Sequence, residues 1–492
     1  MESLSHMGYN LCVTAAIIFG AILRLVSLGK QSFYGDEIFD ISVASGSLGS
    51  VFNADLWHGP LNYYILFFWT RAFGTGEFIS RVPSVTFSVL AGYLVYSIAR
   101  ELLDERTALL AGILALLSPF TILFSQTTRW YSLFYLLSAL STYLMLRYFK
   151  EGKKNYLAGY CASAVLLLYC EVIGLLVLFM HFVSAVFIFK KADRAWISAN
   201  VLAVVLSLPW LVSFVYRYLG TLGEISKFPS QSVHGGLTAR AAYVFLSFSF
   251  GQTILPFNFA VSAPAALLFF LLLSLGVINI FKRDARAGSF LMLYLALLLT
   301  PVFTILNAPH YMMSAFVPFC VLVAGGLSSI RKKTLFFAAA ACISAVYFYS
   351  LCNLYSGRQF HRMEFLDDWR GLASRVRKDV SGRDVVYSSS PSFGYYYLRE
   401  NGTGFVADRG ELIKKAGRIE SGGRVFYVFS PLSGVFQNKD SSDMAAIDGL
   451  KGAFHLEKQE KFSLDPDHKS KQKLTGRPFP RYRIELFIFQ RP

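Results

Sequence analysis

Polar residues that could carry chemistry stand between long hydrophobic stretches of this sequence. A carboxylate can act as a general base toward a hydroxyl, while arginine and histidine can hold the negative charge of a phosphate. Acids beside cations, next to apolar stretches, therefore suit the transfer of a group from a lipid phosphate carrier. The candidates are Asp36, Glu37 and His58 in the segment 31–64, Gln126, Arg129 and Tyr131 in the turn QTTRWY, Glu171, and the neighbours His310 and Tyr311.

Several of these candidates also have a plainer interpretation. Asp36 could cap the helix that begins near Ile38, although a cap needs only one of the two adjacent acids. Arg129 could anchor a helix end at the membrane interface. His58, which precedes Gly-Pro, could complete a turn. His310 fits an interfacial position as well as a binding site. The residue types alone leave these alternatives open.

Metal and nucleotide sites have little support in the sequence. It contains no HxxxH, HExxH or CxxC spacing, so a dedicated protein metal site is not predicted. Asp36 and Glu37 could still hold a divalent ion together with a substrate phosphate. No Walker A loop is present, and nothing indicates a nucleotide-sugar domain.

The composition indicates a polytopic membrane protein. Hydrophobic residues make up 54% of the 492 residues and charged residues 16%, against about 25% charged in a soluble domain. The mean hydropathy is +0.46. The net charge of +16 is explained by basic cytoplasmic loops, and no nucleic-acid-binding motif is visible.

The cysteines and the first apolar stretch are consistent with this class. The six cysteines lie within or at the ends of apolar stretches, which favours buried small hydrophobic residues over disulfides. The first stretch, 11–28, contains Arg24 and lacks an obvious small-residue cleavage site, so we expect a retained anchor rather than a signal peptide.

We predict about eleven transmembrane helices. The apolar segment Leu61–Phe73 is too short to cross, since about 13 helical residues cover only roughly 20 Å. We expect it to lie in the interface, with a short tilted crossing as the alternative. The predicted spans are 11–28, 82–99, 107–124, 130–148, 155–170, 173–189, 195–213, 259–280, 288–306, 311–329 and 334–352.

The distribution of Lys and Arg supports this arrangement. With Leu61–Phe73 outside, every loop on one side carries at least two basic residues, as expected of cytoplasmic loops. The N-terminus is then cytoplasmic, the C-terminus is outside, and the external loops are 30–81 and 214–257. We expect the second external loop to contain its own interfacial helix. The basic loops are 100–106, 150–154, 190–194, 282–286 and 331–333.

The character of the sequence changes after residue 355. We predict a transmembrane domain over 1–355 and a small α/β domain over 356–492, because strand-like and helix-like pieces alternate there. The predicted strands are 384–388, 424–430 and 482–489, the predicted helices are 364–378 and 408–421, and the predicted basic loop is 466–477.

An ordered set of motifs resembles the GT-C glycosyltransferases that use polyprenyl-phosphate sugars. That family includes protein O-mannosyltransferases, the lipid A aminoarabinose transferase and lipopolysaccharide-core galacturonosyltransferases. Each motif alone is weak, and the set covers residues from about 10 to 400. The motifs are YGDE at 34–37, HGPLNYY at 58–64, SRVPS at 80–84, QTTRWY at 126–131, PHY at 309–311 and DWR at 368–370.

The resemblance implies an inverting transfer on the external face. It assigns the base to Asp36, with Glu37 beside it, and places Arg129 near the carrier phosphate. This sequence departs from the family at three points. Gly59 stands where proline is usual, Thr127-Thr128 stand where an acid often precedes the arginine, and His310 stands where arginine is common. The last puts the phosphate contact from that loop in question, since histidine is mostly neutral at pH 7.

The sequence therefore predicts an integral-membrane glycosyltransferase of GT-C architecture. We expect it to lie in the plasma (inner) membrane and to act on the cell envelope. Its partners would be a polyprenyl-phosphate sugar, a glycan, lipid or protein acceptor, and membrane lipids, with no nucleic acid. No cofactor is expected, apart from the divalent ion considered above. A transporter or flippase of a lipid-linked sugar is the alternative, but a transporter more often shows repeats and charges near mid-membrane. An inactive relative that acts in assembly is a third possibility.

Overall fold

The protein has two compact units. Apart from a short N-terminal segment, the first unit precedes residue 357 in the sequence and the second follows residue 356. The first contains Met1–Leu28 and Asp40–Ser356, and the second contains Gly29–Phe39 and Gly357–Pro492. The segment 29–39, which we predicted as part of a transmembrane-domain loop, therefore groups with the C-terminal unit. The computed structural model describes residues 2–55, 57–225, 236–256, 258–304, 306, 308–358, 367–430, 441–464, 468–469, 472 and 481–492.

The first unit is helical. Helix α2 begins in the segment assigned to the second unit and ends in the first. Short π- and 3₁₀-helical turns occupy Ser184–Ile188, Thr300–Phe303 and Pro309–Ala315. The helices are α1 Glu2–Leu25, α2 Gly35–Ser45, α3 Leu48–Val51, α4 Leu61–Phe73, α5 Glu77–Leu102, α6 Glu105–Leu117, α7 Pro119–Ser125, α8 Tyr131–Glu151, α9 Lys154–Cys170, α10 Gly174–Val183, α11 Arg194–Ile225, α12 Leu237–Phe250, α13 Phe259–Arg283, α14 Ala285–Leu298, α15 Phe316–Ser329 and α16 Lys333–Tyr355.

Long apolar helices make this an integral membrane protein. Among the described residues, seven helical segments are long and apolar enough to cross a bilayer, and α6 with α7 forms an eighth that is bent by 46°. Helices α8, α9 and α10 exist but do not meet that criterion, so the total of eleven spans stays a prediction. The seven segments are Gly8–Leu25, Glu77–Leu102, Arg194–Thr221, Phe259–Arg283, Ala285–Phe303, Pro309–Ser329 and Lys333–Tyr355.

The bend between α6 and α7 is held by a buried arginine from α1. Ser118 and Pro119 interrupt the helix, and the Ser118 hydroxyl accepts a hydrogen bond from the Phe120 amide. Arg24 is completely buried and donates to the Leu116 carbonyl at 2.6 Å and the Thr121 hydroxyl at 3.0 Å. A buried cation is stable only where polar groups satisfy it, and the broken helix supplies them. This joint precedes the QTTRWY turn.

Helix α11 is longer than the predicted span. It runs to Ile225, so residues 214–225 continue the helix instead of opening a loop. Apolar residues continue at helical spacing beyond the predicted end, and Pro209 is accommodated within the helix. A helix, α12, is observed within the predicted loop, and its interfacial position stays a prediction.

The C-terminal unit contains a five-stranded mixed sheet in the order β2-β1-β3-β5-β4. Strand β1 pairs in parallel with β2 and β3, while β5 pairs antiparallel with β3 and β4. The elements are α17 Trp369–Asp379, β1 Val385–Ser388, α18 Pro391–Arg399, β2 Phe405–Val406, α19 Arg409–Gly417, β3 Arg424–Phe429, α20 Ser441–Ala453, β4 His455–Leu464 and β5 Tyr482–Gln490.

The pattern of apolar residues explains which of these strands could be predicted. Strands β1 and β3 are almost wholly buried and read as continuous apolar runs, as central strands do. The three predicted strands are observed as β1, β3 and β5. Strand β4 was missed because it is a charged edge strand, HLEKQEKFSL, with exposed side chains. Most of the predicted loop 466–477 lies outside the described residues.

Candidate functional site

Arg129 and Asp40 form a buried ion pair in the first unit. Arg129 lies in the turn between α7 and α8, and Asp40 lies on α2. The Arg129 Nη1 atom is 2.5 Å from Asp40 Oδ1, and the two side chains are 7% and 1% exposed. Buried charges of this kind must be compensated. Asp40 therefore supplies from another helix the acid that is missing at Thr127-Thr128.

His58 and Glu171 form a second pair. His58 Nδ1 lies 2.7 Å from Glu171 Oε2, and the other oxygen of Glu171 accepts a hydrogen bond from the Val172 amide at 3.1 Å. Burial by itself lowers the pKa of His58, but the charge and hydrogen bond of Glu171 and the charge of Asp55 raise it above the usual value. The imidazolium form is thereby favoured, which a lone turn histidine would not require.

Gly59 explains how His58 reaches Glu171. Its amide donates to the Cys170 carbonyl at 3.2 Å. A Cβ atom at this position would lie 2.0 Å from the Tyr169 carbonyl oxygen. The departure from the proline usual in the family thus has a steric cause, since the two backbones touch here.

Asp55 is a third carboxylate in the same unit. Its side chain accepts hydrogen bonds from the Tyr63 hydroxyl at 2.5 Å and the Trp57 amide at 2.8 Å. Burial would raise the pKa of Asp55, but the nearby charge of His58 and these two hydrogen bonds, with Arg129, bring it below the ordinary value. Asp55 therefore stays ionised.

Aromatic rings surround the two cations. The His58 ring lies 5.2 Å from Trp130 and 6.5 Å from Tyr311, centre to centre. The Arg129 guanidinium lies 5.9 Å from the centre of the Tyr131 ring. Tyr131, His310 and Tyr311 are contiguous, with Tyr131–His310 at 4.5 Å and His310–Tyr311 at 4.4 Å. We call Trp130, Tyr131, His310 and Tyr311 the aromatic wall.

Gln126 has a different environment from Arg129. Its amide donates to the carbonyls of Arg24 at 3.1 Å and Val26 at 2.9 Å. These bonds tie the QTTRWY turn to the end of α1. Gln126 is one of the predicted candidates, and its role in donor binding stays a prediction.

Asp36 and Glu37 lie in the first turn of α2 and count with the C-terminal unit. Acids are stabilised at a helix N-terminus, so the capping interpretation and a chemical role are compatible. Glu37 is fully buried and accepts a weak bond from the Tyr34 amide at 3.4 Å, whereas Asp36 is partly exposed. Across the described ranges, no three His, Cys, Asp or Glu side chains are grouped to hold a metal ion.

Sequence reasoning assigned no role to Asp40, Asp55, Tyr63 or Arg217. Asp40 follows Asp36 by four residues, one helical turn, and that spacing was the available signal. Arg217 on α11 donates to the Asp55 carbonyl at 2.5 Å, and Trp57 packs edge-on against Tyr218 at 6.1 Å. These contacts hold the loop before His58 against α11. No local sequence pattern predicts them.

Comparison with known proteins supports the family resemblance. Residues 57–217 match the family model for dolichyl-phosphate-mannose-protein mannosyltransferase, a segment shorter than half of the chain. No curated protein sequence matches.

Solved structures share the fold over nearly the whole chain. ArnT from Cupriavidus metallidurans in the apo state is 12% identical with a TM-score of 0.60, covering 98% of each chain. Its structure bound to undecaprenyl phosphate gives 12% identity and a TM-score of 0.56 over 97% of each chain. The Archaeoglobus fulgidus oligosaccharyltransferase AglB, in complex with an inhibitory peptide and a dolichol-phosphate, gives 11% and 0.52 over 97% of this chain and 88% of that one. The protein therefore has the fold of the GT-C glycosyltransferases.

Proposed function

We propose that this protein is an inverting glycosyltransferase that moves a sugar from a polyprenyl-phosphate donor to a hydroxyl acceptor. The observation that carries the proposal is a pair of basic side chains, Arg129 and His58, each of which contacts a carboxylate and lies against the aromatic wall. The similar folds of ArnT and AglB, whose structures contain undecaprenyl phosphate and dolichol-phosphate, support a lipid phosphate as the donor's leaving group.

The cations would bind the donor phosphate. A guanidinium can bind phosphate through two parallel hydrogen bonds, and Asp40 holds Arg129 in a fixed orientation. His58 can add a second positive charge, because Glu171 and Asp55 outweigh burial and raise the pKa of His58 above its usual value. Tyr131, His310 and Tyr311 supply apolar faces and polar edges against which a sugar ring can be oriented. Gln126 acts indirectly, by fixing the turn that carries Arg129.

The reaction is a single displacement. Asp36 accepts the proton of the acceptor hydroxyl while the hydroxyl oxygen forms a bond to the anomeric carbon. The bond from that carbon to the phosphate oxygen breaks, and its electron pair leaves with the polyprenyl phosphate. Arg129 and His58 stabilise this added charge, and Asp36 later releases the proton to water. One displacement inverts the anomeric configuration. Glu37 lies beside the base and holds the first turn of α2.

We propose the extracytoplasmic face of the inner membrane for this chemistry and for the C-terminal domain, on the strength of the basic loops assigned to the other side. The acceptor class is a cell-envelope glycan, lipid or protein. A divalent ion beside Asp36 and Glu37 would be recruited with the substrate phosphate, since the described residues provide too few ligands for a separate site.

The proposal is tested by measuring release of polyprenyl phosphate from labelled undecaprenyl-phosphate sugars by the purified protein, with cell-envelope extract as acceptor. We expect release together with transfer of label in the wild type. Arg129→Lys keeps the charge but loses the two-pronged contact, so donor use should fall clearly, and Arg129→Ala should reduce it further. Movement of intact donor across vesicles without cleavage would instead establish a flippase.

A further inference from the structure

We propose that Tyr396, in the C-terminal unit, is a positioning residue that holds the segment before Asp36. This inference rests on the proposed function for the role of Asp36. The contacts that carry it all lie within the C-terminal unit, to which residues 29–39 belong.

The main contact joins Phe33 to α18. The Phe33 amide donates a hydrogen bond to the Tyr396 hydroxyl oxygen at 2.6 Å in a buried environment. The Phe33 ring packs edge-on against Tyr395 with the ring centres 6.2 Å apart. Phe33 and Tyr34 are 0% and 2% exposed. A chain segment this short can bury an apolar side chain only against another element, and for Phe33 that element is α18.

A second contact joins Ser32 to the start of α17. The Ser32 hydroxyl accepts a bond from the Arg370 amide at 3.1 Å and lies 3.4 Å from Asp368 Oδ1. Asp368 also caps α17 through the Gly371 amide at 2.9 Å. The Arg370 guanidinium reaches the Lys30 carbonyl at 3.0 Å. The DWR motif at 368–370 therefore grips the segment 30–32.

The helices that make these contacts, α17 and α18, are also hydrogen-bonded to each other. Arg377, near the end of α17, donates to the Tyr396 carbonyl at 2.7 Å. This bond joins α18 to α17, so the two helices that contact Ser32 and Phe33 are also bonded to each other. We call the contacts of Ser32 and Phe33 with Asp368, Arg370 and Tyr396 the clasp.

The clasp ends where α2 begins. The Tyr34 carbonyl accepts a bond from the Ile38 amide at 3.0 Å, and the Tyr34 amide lies 3.4 Å from Glu37 Oε2. Tyr34, the residue after Phe33, is therefore hydrogen-bonded to the first turn of α2, which contains Asp36 and Glu37. Displacing a reacting group by about 1 Å can cost about 10²-fold in rate, so a loosened clasp should slow catalysis.

The test uses Tyr396→Phe in the purified full-length protein. This change removes the acceptor for the Phe33 amide and keeps the ring. Tyr397→Phe is the matched control, because Tyr397 lies on the same helix, is buried, and uses its hydroxyl for one bond to the Thr403 carbonyl at 2.8 Å. Two quantities are measured: hydrogen exchange of the peptide containing residues 32–34, and kcat and donor KM.

For Tyr396→Phe we expect exchange of that peptide to rise about five-fold to ten-fold, since one buried hydrogen bond contributes about 1 kcal/mol. We expect kcat to fall about ten-fold with donor KM within two-fold of the parent. Tyr397→Phe should leave both exchange and kcat near the parent values.

Unchanged exchange in Tyr396→Phe, or equal losses of kcat in the two variants, would overturn the positioning role. The exchange measurement needs no substrate, so it separates the two proposals. A wild-type protein that transfers no sugar while Tyr396→Phe alone loosens residues 32–34 would overturn the proposed function and support the clasp.

Discussion

Asp40 holds Arg129 through a 2.5 Å contact between Oδ1 and Nη1, with both side chains almost completely removed from solvent. Removing one partner of a buried pair leaves an uncompensated charge, which costs about 3–5 kcal/mol. We predict that Asp40→Asn lowers the free energy of unfolding by about this amount and that Arg129→Gln does likewise. The double variant should lose less than the sum, which thermal unfolding of the four proteins in detergent will measure. Additive losses would mean that the two residues act independently.

The base assignment gives a second prediction. Asp36→Asn should reduce turnover by about 10²–10⁴-fold, because a general base contributes about that much, with donor binding nearly unchanged. Glu37→Gln is the matched control, since Glu37 is buried and accepts from the Tyr34 amide. Its loss of turnover should be smaller and accompanied by lower stability. The opposite order of the two losses would move the base to Glu37. Steady-state turnover and donor binding will distinguish these outcomes.

Residues from distant parts of the sequence show how far sequence reasoning could go. The ordered motifs singled out Arg129, His58 and Glu171, each of which lies in a charged pair in the structure, and the apolar runs identified β1, β3 and β5. The pairs themselves could not be predicted. His58 and Glu171 are 113 residues apart and Arg129 and Asp40 are 89 apart, and such pairing depends on helix packing rather than on local pattern.

The contacts of Gln126 and of the segment 29–39 could not be predicted from the sequence either. Gln126 has the chemistry of a binding residue, but the end of α1 occupies its amide. The segment 29–39 follows the first span in sequence, yet it packs with residues more than 300 positions later. Its position in the sequence predicted a loop of the transmembrane domain. In the structure the segment groups with the C-terminal unit, and Phe33 and Tyr34 are buried.

The raised pKa of His58 gives a pH prediction. Burial opposes protonation, but Glu171 and Asp55 outweigh both burial and the repulsion from Arg129. A raised folded-state pKa means that the stabilisation is fully present below the unfolded value of about 6.5 and is lost as pH rises through the folded value. We expect the pair to contribute about 2 kcal/mol below pH 6.5. The difference in melting temperature between wild type and Glu171→Gln should therefore shrink as pH rises from 6 to 9. A difference independent of pH would show that His58 does not titrate between pH 6 and 9.

The membrane orientation gives a fourth prediction. In the orientation that we propose from the basic loops, residues such as Lys332 are in the cytoplasm and the C-terminal domain is outside. A cysteine at position 400, introduced as Glu400→Cys in a background without the six native cysteines, should react with an impermeant maleimide in spheroplasts. Lys332→Cys, the control, should react only after lysis. If the cysteine at position 332 were labelled in intact spheroplasts and the cysteine at position 400 were protected, the orientation in the membrane would be the opposite of the proposed one.

The close approach at Gly59 gives the last prediction. A Cβ atom there would lie 2.0 Å from the Tyr169 oxygen and 2.8 Å from the Cys170 oxygen, so Gly59→Ala must push the two backbones apart. Overpacking of this kind costs about 1–3 kcal/mol. Gly49→Ala is the control, because the space around Gly49 is open.

The Gly59 contact also sets the distance between His58 and Glu171, the residues that flank the touching backbones. Gly59→Ala should therefore lengthen the 2.7 Å contact and lower the pKa of His58 toward its ordinary value, because the separated carboxylate attracts the proton less. We expect the pH dependence of melting described above to weaken in this variant and to persist in Gly49→Ala. A Gly59→Ala variant that is less stable but keeps the full pH dependence would separate the packing role of Gly59 from the pairing of His58.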